Sequence, residues 1–145
     1  MVATLSADEL ASLLGTEDES FLLDVREPAE VASWSIPGAQ NVPLGELADR
    51  VEELPRDRRI VTVCASGNRS EVAAGLLALA GFSAANLVGG MTAWGRVYDS
   101  ATIELSAATV VKLRRRAKGC LSYLVGAGDE AFVVDPSADI DVCSV

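Results

Sequence analysis

Short apolar blocks alternate with segments of helical spacing along the first part of the chain. Residues 2–5 read as a short strand. Ser6 and Glu9 have the S-x-x-E spacing of a capping box and open a helix over 7–14 that Gly15 ends. FLLDV at 21–25 is a compact apolar run, which predicts a buried strand. Pro28 suits the first position of a short helix. SIPGAQ at 35–40 reads as a turn, and residues 41–42 as a brief strand stopped by Pro43. Leu44, Leu47, Val51 and Leu54 recur at helical spacing with Glu and Arg between them, predicting a helix that Pro55 stops. IVTVC at 60–64 is the clearest strand, rich in β-branched residues. A helix follows over 70–80, closed by Gly81, and then a strand over 86–88 that Gly89-Gly90 breaks. Apolar strands alternating with helices predict an α/β fold of three layers around a largely parallel sheet.

The rest of the chain changes character. Residues 110–115 read as a strand, although their spacing also permits a short helix. Residues 121–125 and 131–134 flank GAGDE and predict a β-hairpin that Asp135-Pro136 ends. So few strands bury little apolar area, so this part reads as an incomplete domain. Charge divides the chain in the same place. Residues 1–95 carry six Arg, no Lys and fourteen acidic groups, while residues 96–145 carry six basic and seven acidic groups. A boundary is expected near 98–102, giving a first domain over 1–97 and a β segment over 98–145.

Composition narrows the chemistry. The 145 residues are 50% hydrophobic, enough for a core, and the formal charge of −9 offers no generic attraction to nucleic acid or anionic membranes. The start lacks a basic n-region and a sustained apolar core, so a soluble, cytoplasmic protein is the expectation. There is no histidine. That excludes an imidazole base, a Ser-His-Asp triad and His-ligated metal within these residues, so no metal or cofactor is expected. Cys64, Cys120 and Cys143 are odd in number and lack CxxC spacing, and they read as reduced thiols.

The strongest chemical signal is CASGNRS, Cys64 to Ser70, between a buried strand and a helix. In an α/β sheet, ligands bind beyond the carboxyl ends of strands, where this loop falls. Ser66, Gly67 and Asn68 can turn backbone N–H groups inward, the following helix adds its free amides, and Arg69 adds a permanent cation. Such surroundings favour a Cys64 thiolate and an anionic substrate. A cysteine ending an apolar strand is by itself more often a small buried hydrophobe. The glycine, arginine and helix start after Cys64 reverse that balance; Cys120 and Cys143 have no such setting and read as inert.

LLDVRE at 22–27, IPGA at 36–39 with NVPL at 41–44, CASGNRS at 64–70 and VGGMTAW at 88–94 resemble the successive motifs of a single rhodanese domain over residues 3–96. The resemblance implies a five-stranded rhodanese fold, sulfurtransferase activity and a persulfide carried on Cys64. It further implies that Ala65, Ser66, Gly67, Asn68 and Arg69, with Ser70, form the substrate cradle, and that Asp24 and Arg26 brace the site. Small sulfur donors, thiol or cyanide acceptors and a protein persulfide partner would be its partners. Ser35 departs from the histidine common in that family. Related phosphatases carry C-x5-R, whereas Cys64 to Arg69 is C-x4-R, so phosphatase chemistry is the lesser reading.

KGCLSYLV at 118–125, AFVVDP at 131–136 and DIDV at 139–142 resemble the opening strands of a metallo-β-lactamase-fold domain, without that family's metal-binding histidines. The resemblance implies a truncated fusion protein, with the alternative that the first domain is a sulfur carrier or interaction module for a partner of that fold. Unpaired strand edges in the segment are expected to dock on the first domain or to form a homodimer. The basic run KLRRRAK at 112–118 lacks aromatic companions and reads as a solvated surface, not a nucleic-acid site.

Overall fold

The computed structural model describes residues 2–14, 16, 20–116 and 119–136, and the chain divides into two compact units, Met1–Gly95 and Arg96–Val145. The first unit has strands β1 (Ala3–Leu5), β2 (Phe21–Asp24), β3 (Gln40–Asn41), β4 (Ile60–Val63) and β5 (Ala84–Leu87). They form one sheet in the order β1-β5-β4-β2-β3, every pairing parallel. The five-stranded α/β fold expected from the sequence is therefore present. All four residues of β4 are buried, as a central strand covered on both faces requires.

Helix α1 (Ala7–Leu13) begins at a complete capping box: the Glu9 amide donates to Ser6 Oγ at 3.2 Å, and the Ser6 amide to Glu9 Oε2 at 2.7 Å. Gly15, expected to end it, lies outside the described residues. Helix α2 (Pro28–Ser33) starts with proline at its first position. The helix expected over 44–54 is instead broken into a 3-10 turn, helix α3 (Leu47–Arg50) and a second 3-10 turn (Val51–Glu53). Its apolar residues still face inward, with Leu47 and Leu54 buried, so the spacing recorded burial and not one continuous helix. Helix α4 (Asn68–Leu79) starts two residues before the expected 70, so that Asn68, Arg69 and Ser70 belong to its first turn. Helix α5 (Gly90–Trp94) has no counterpart in the sequence reading, which saw only a break at Gly89-Gly90. Against one face, Leu23, Val25, Leu47, Ile60, Leu77 and Phe82 pack in a buried cluster that also contains Cys64.

The second unit is a four-stranded antiparallel sheet, β6 (Tyr98–Glu104), β7 (Thr109–Arg115), β8 (Leu121–Ala127) and β9 (Glu130–Val134), in sequential order. Residues 110–115 are thus strand and not helix. The expected hairpin is present as β8–β9, with longer strands and a turn of only Gly128 and Asp129. Gly128 has φ +63°, which suits the first position of a type II′ turn. Residues 98–102, read as a polar separator, lie in β6. An exposed edge strand tolerates polar residues because its outer row of backbone groups faces solvent. Among the described residues, no helix is long and apolar enough to cross a membrane.

Candidate active site

Three neighbouring parallel strands deliver the site at their carboxyl ends. Asp24 ends β2, Cys64 follows β4, and Gly89-Gly90 follow β5. Cys64 is 1% exposed. The Gly67 amide donates to Cys64 Sγ at 3.1 Å, and the Ser70 hydroxyl lies 3.3 Å from it. Burial acts on the thiol pKa most strongly and pushes it up. The Ser70 hydroxyl and the amides of Ser70, Ser66 and Gly67 outweigh burial together, leaving the pKa below its ordinary value. Ser70 Oγ also lies 3.1 Å from the Gly67 carbonyl and 2.7 Å from Asn86 Oδ1. One hydroxyl proton serves these three acceptors, and it is drawn to Sγ when sulfur carries the charge.

The loop owes its shape to main-chain clamps. Gly67 has φ +102° and Gly90 φ +52°, both in the left-handed region that glycine tolerates. A Cβ on Gly90 would clash with the Cys64 carbonyl oxygen, and one on Gly67 would lie 3.0 Å from the Gly89 nitrogen. The Met91 amide donates to the Cys64 carbonyl at 2.8 Å. The Thr92 amide and hydroxyl both donate to the Ala65 carbonyl at 3.0 Å. From below, Thr62 Oγ1 donates to the Ser70 carbonyl at 2.8 Å, tying the start of α4 to β4.

Asp24 and Arg26 form a buried pair, Arg26 Nη2 to Asp24 Oδ2 at 2.6 Å, with Nε reaching both carboxylate oxygens. Arg26 also donates to the carbonyls of Glu30 (3.4 Å) and Trp34 (2.9 Å), so it ties down the middle of α2 and its carboxyl-terminal cap. Asn41 Nδ2 closes the group on the Asp24 and Arg26 carbonyls at 2.8 Å. Trp34 thereby gains a role through its carbonyl, and Ser35 is exposed.

The structure brings Cys64, Ser66, Gly67 and Ser70 together around one sulfur. Ala65 joins through its clamped carbonyl, and the side chains of Ser66 and Asn68 are exposed. Arg69 stands on the first turn of α4, where its Nη1 and Nη2 each donate to a different oxygen of Glu30 at 2.8 Å. Sequence reasoning missed Glu30, Gly90 and Thr92. The last two lie in the VGGMTAW motif and are marked by its paired glycines, whereas nothing local marks Glu30. Cys120 is exposed, and Cys143 lies outside the described residues.

The sequence matches the rhodanese-like domain over residues 6–96, and the chain belongs to that family. It is 37% identical over 97 residues to a sulfurtransferase of Allochromatium vinosum, covering 66% of this chain and 91% of that protein. It is 35% identical over 89 residues to a thiosulfate sulfurtransferase of Pseudomonas syringae pv. syringae, covering 61% of this chain and 84% of that protein. The solved structure of a rhodanese-like domain protein from Staphylococcus aureus superposes with a TM-score of 0.62 at 32% identity, covering 64% of this chain and 91% of that one. Both of these curated relatives are sulfurtransferases.

Proposed function

We propose that the first unit moves sulfane sulfur from thiosulfate or a low-molecular-weight persulfide to a thiophilic acceptor through a persulfide on Cys64. The observation that carries this reading is the buried Sγ receiving the Gly67 amide and the Ser70 hydroxyl, with the thiol pKa held below its ordinary value. In the first half-reaction the thiolate bonds to the outer sulfur of thiosulfate. The donor S–S bond breaks, and sulfite leaves with the electron pair. In the second, cyanide or a thiolate bonds to the outer sulfur of the Cys64 persulfide, and the Cys64 thiolate is the leaving group. Neither step transfers a proton, which fits a chain without histidine. The amides that favour the thiolate equally favour the persulfide anion that replaces it, since both place negative sulfur in the cradle.

Incubation with thiosulfate followed by intact mass is expected to show one added sulfur that cyanide removes. Cys64→Ser should slow formation of this adduct by at least about a thousandfold, because no other group here supplies the nucleophile. An undiminished cyanide-labile adduct on Cys64→Ser would refute the reading.

A further inference from the structure

The Arg69–Glu30 pair lies beside the candidate site, and the steps proposed for Cys64 use neither of its members. The carboxylate is built in place. Glu30 Oε2 also accepts the Glu27 amide at 3.0 Å, and Arg26 holds the helix that carries Glu30 through two of its carbonyls. The two-pronged contact occupies two guanidinium donors at once. Arg69 feels further charges: the Cys64 thiolate and the carboxylate of Glu27 both act on it through space. Glu30 thus pairs directly with the guanidinium, and Glu27 adds the charge of a second carboxylate. The first unit as a whole, residues 1–95, holds fourteen acidic against six basic groups.

This arrangement is poorly suited to capturing a dianion. When the outer sulfur of thiosulfate enters the cradle, its sulfonate stays at the mouth, where Glu30 already neutralises Arg69 and the added charge of Glu27 leaves a net negative field that repels it. Cysteine persulfide brings one charged sulfur into the cradle and leaves a zwitterionic frame outside, whose ammonium group is attracted by the net negative charge that Glu30 and Glu27 leave around Arg69. In both cases the thiolate bonds to the outer sulfur, and the donor S–S bond breaks with its electron pair leaving on sulfite or on the cysteine thiolate.

We propose that Glu30 is a specificity-determining residue, which disfavours dianionic donors such as thiosulfate and favours low-molecular-weight persulfides that carry an ammonium group. The proposal rests on the reading of Cys64 as the sulfur acceptor. Glu30→Gln removes the charge but keeps an oxygen that can accept the Glu27 amide. For thiosulfate this variant should raise kcat/KM about fivefold, through KM with kcat little changed, as expected for loss of one partly exposed charge. For cysteine persulfide, kcat/KM should hold or fall. Added salt should lower the wild-type KM for thiosulfate, and do so less in Glu30→Gln. Glu30→Asp, which keeps the charge on a shorter arm, should keep the wild-type ratio between the two donors.

A fall in thiosulfate kcat/KM on Glu30→Gln, or the same change for both donors, would overturn the proposal and make Glu30 a support for Arg69. A Glu30→Asp chain with the donor ratio of Glu30→Gln would overturn it as well. If wild-type protein shows no Cys64-dependent turnover with either donor, the proposal falls together with the reading beneath it. The wild-type control separates that outcome from the others.

Discussion

In the first unit every residue of β4 is buried between covering layers, whereas in the second every residue of β9 is exposed. The two sheets differ in how their strands are joined. Parallel strands need crossover segments, and these lay helices on the sheet and gather loops at the carboxyl ends. Cys64, Asp24 and Gly90 meet there because their strands are neighbours, although the chain separates them widely. Antiparallel strands joined by tight turns bring no such covering. Among the described residues of the second unit, only Val97, Leu113 and Ser122 are buried. The candidate chemistry thus belongs to the sheet whose wiring makes a floor and a rim.

The contrast can be broken at single glycines. Gly90→Ala forces a Cβ onto the Cys64 carbonyl at a left-handed φ of +52° and should cost about 4 kcal/mol through strain and overpacking. In the second sheet, Gly126→Ala meets nothing within 4 Å and should change stability by under about 0.5 kcal/mol. Urea unfolding followed by tryptophan fluorescence reports the first unit, since both tryptophans, Trp34 and Trp94, lie there. Tyr98 and Tyr123 report the second. A Gly90→Ala chain as stable as wild type would show that the two loops are not clamped as described.

Side-chain truncation sharpens the same comparison. Leu23 is fully buried, and Leu23→Ala should cost about 3 kcal/mol by urea titration. Phe132, a larger residue, is 62% exposed, and Phe132→Ala should cost under about 0.5 kcal/mol. A comparable loss at Phe132 would mean that β9 is covered in solution, by a second copy or by another partner.

The smallest effect concerns pH. The Cys64 thiol is held below its ordinary pKa, so its reactivity is present at higher pH and lost as pH falls through that depressed value. Ser70→Ala removes the strongest of the groups that lower it, and the rising limb of Cys64 alkylation against pH should move to higher pH. A stationary limb would show that the amides of Ser66, Gly67 and Ser70 suffice.

Features set by neighbours in sequence were legible from it. The Ser6–Glu9 capping box, Pro28 at a helix start and the β-branched run of β4 each declare themselves within a few residues, as does the Cys64 loop. Helix α5 escaped because it has five residues and opens on glycine, too short for a period to show. Strand β6 escaped because an edge strand lacks the apolar run that marks a central one. The continuous helix expected over 44–54 failed because inward-facing residues recur at similar intervals in 3-10 and α turns. Glu30 stayed hidden for a different reason. Its partner is 39 positions away, and only the parallel crossover brings α2 and α4 together.

The opposed glycines at 67 and 90 divide the labour of the Cys64 loop between its two kinds of atoms. Main-chain carbonyls of Cys64 and Ala65 are locked against the segment after β5, main-chain amides face the sulfur, and the side chains of Ser66 and Asn68 are exposed. Under the proposed sulfur transfer, those outward positions are an address label that can be rewritten to suit another acceptor without retuning the sulfur beneath it. For protein engineering, this makes Ser66 and Asn68 the natural sites for diversification, with the paired glycines left as a fixed frame.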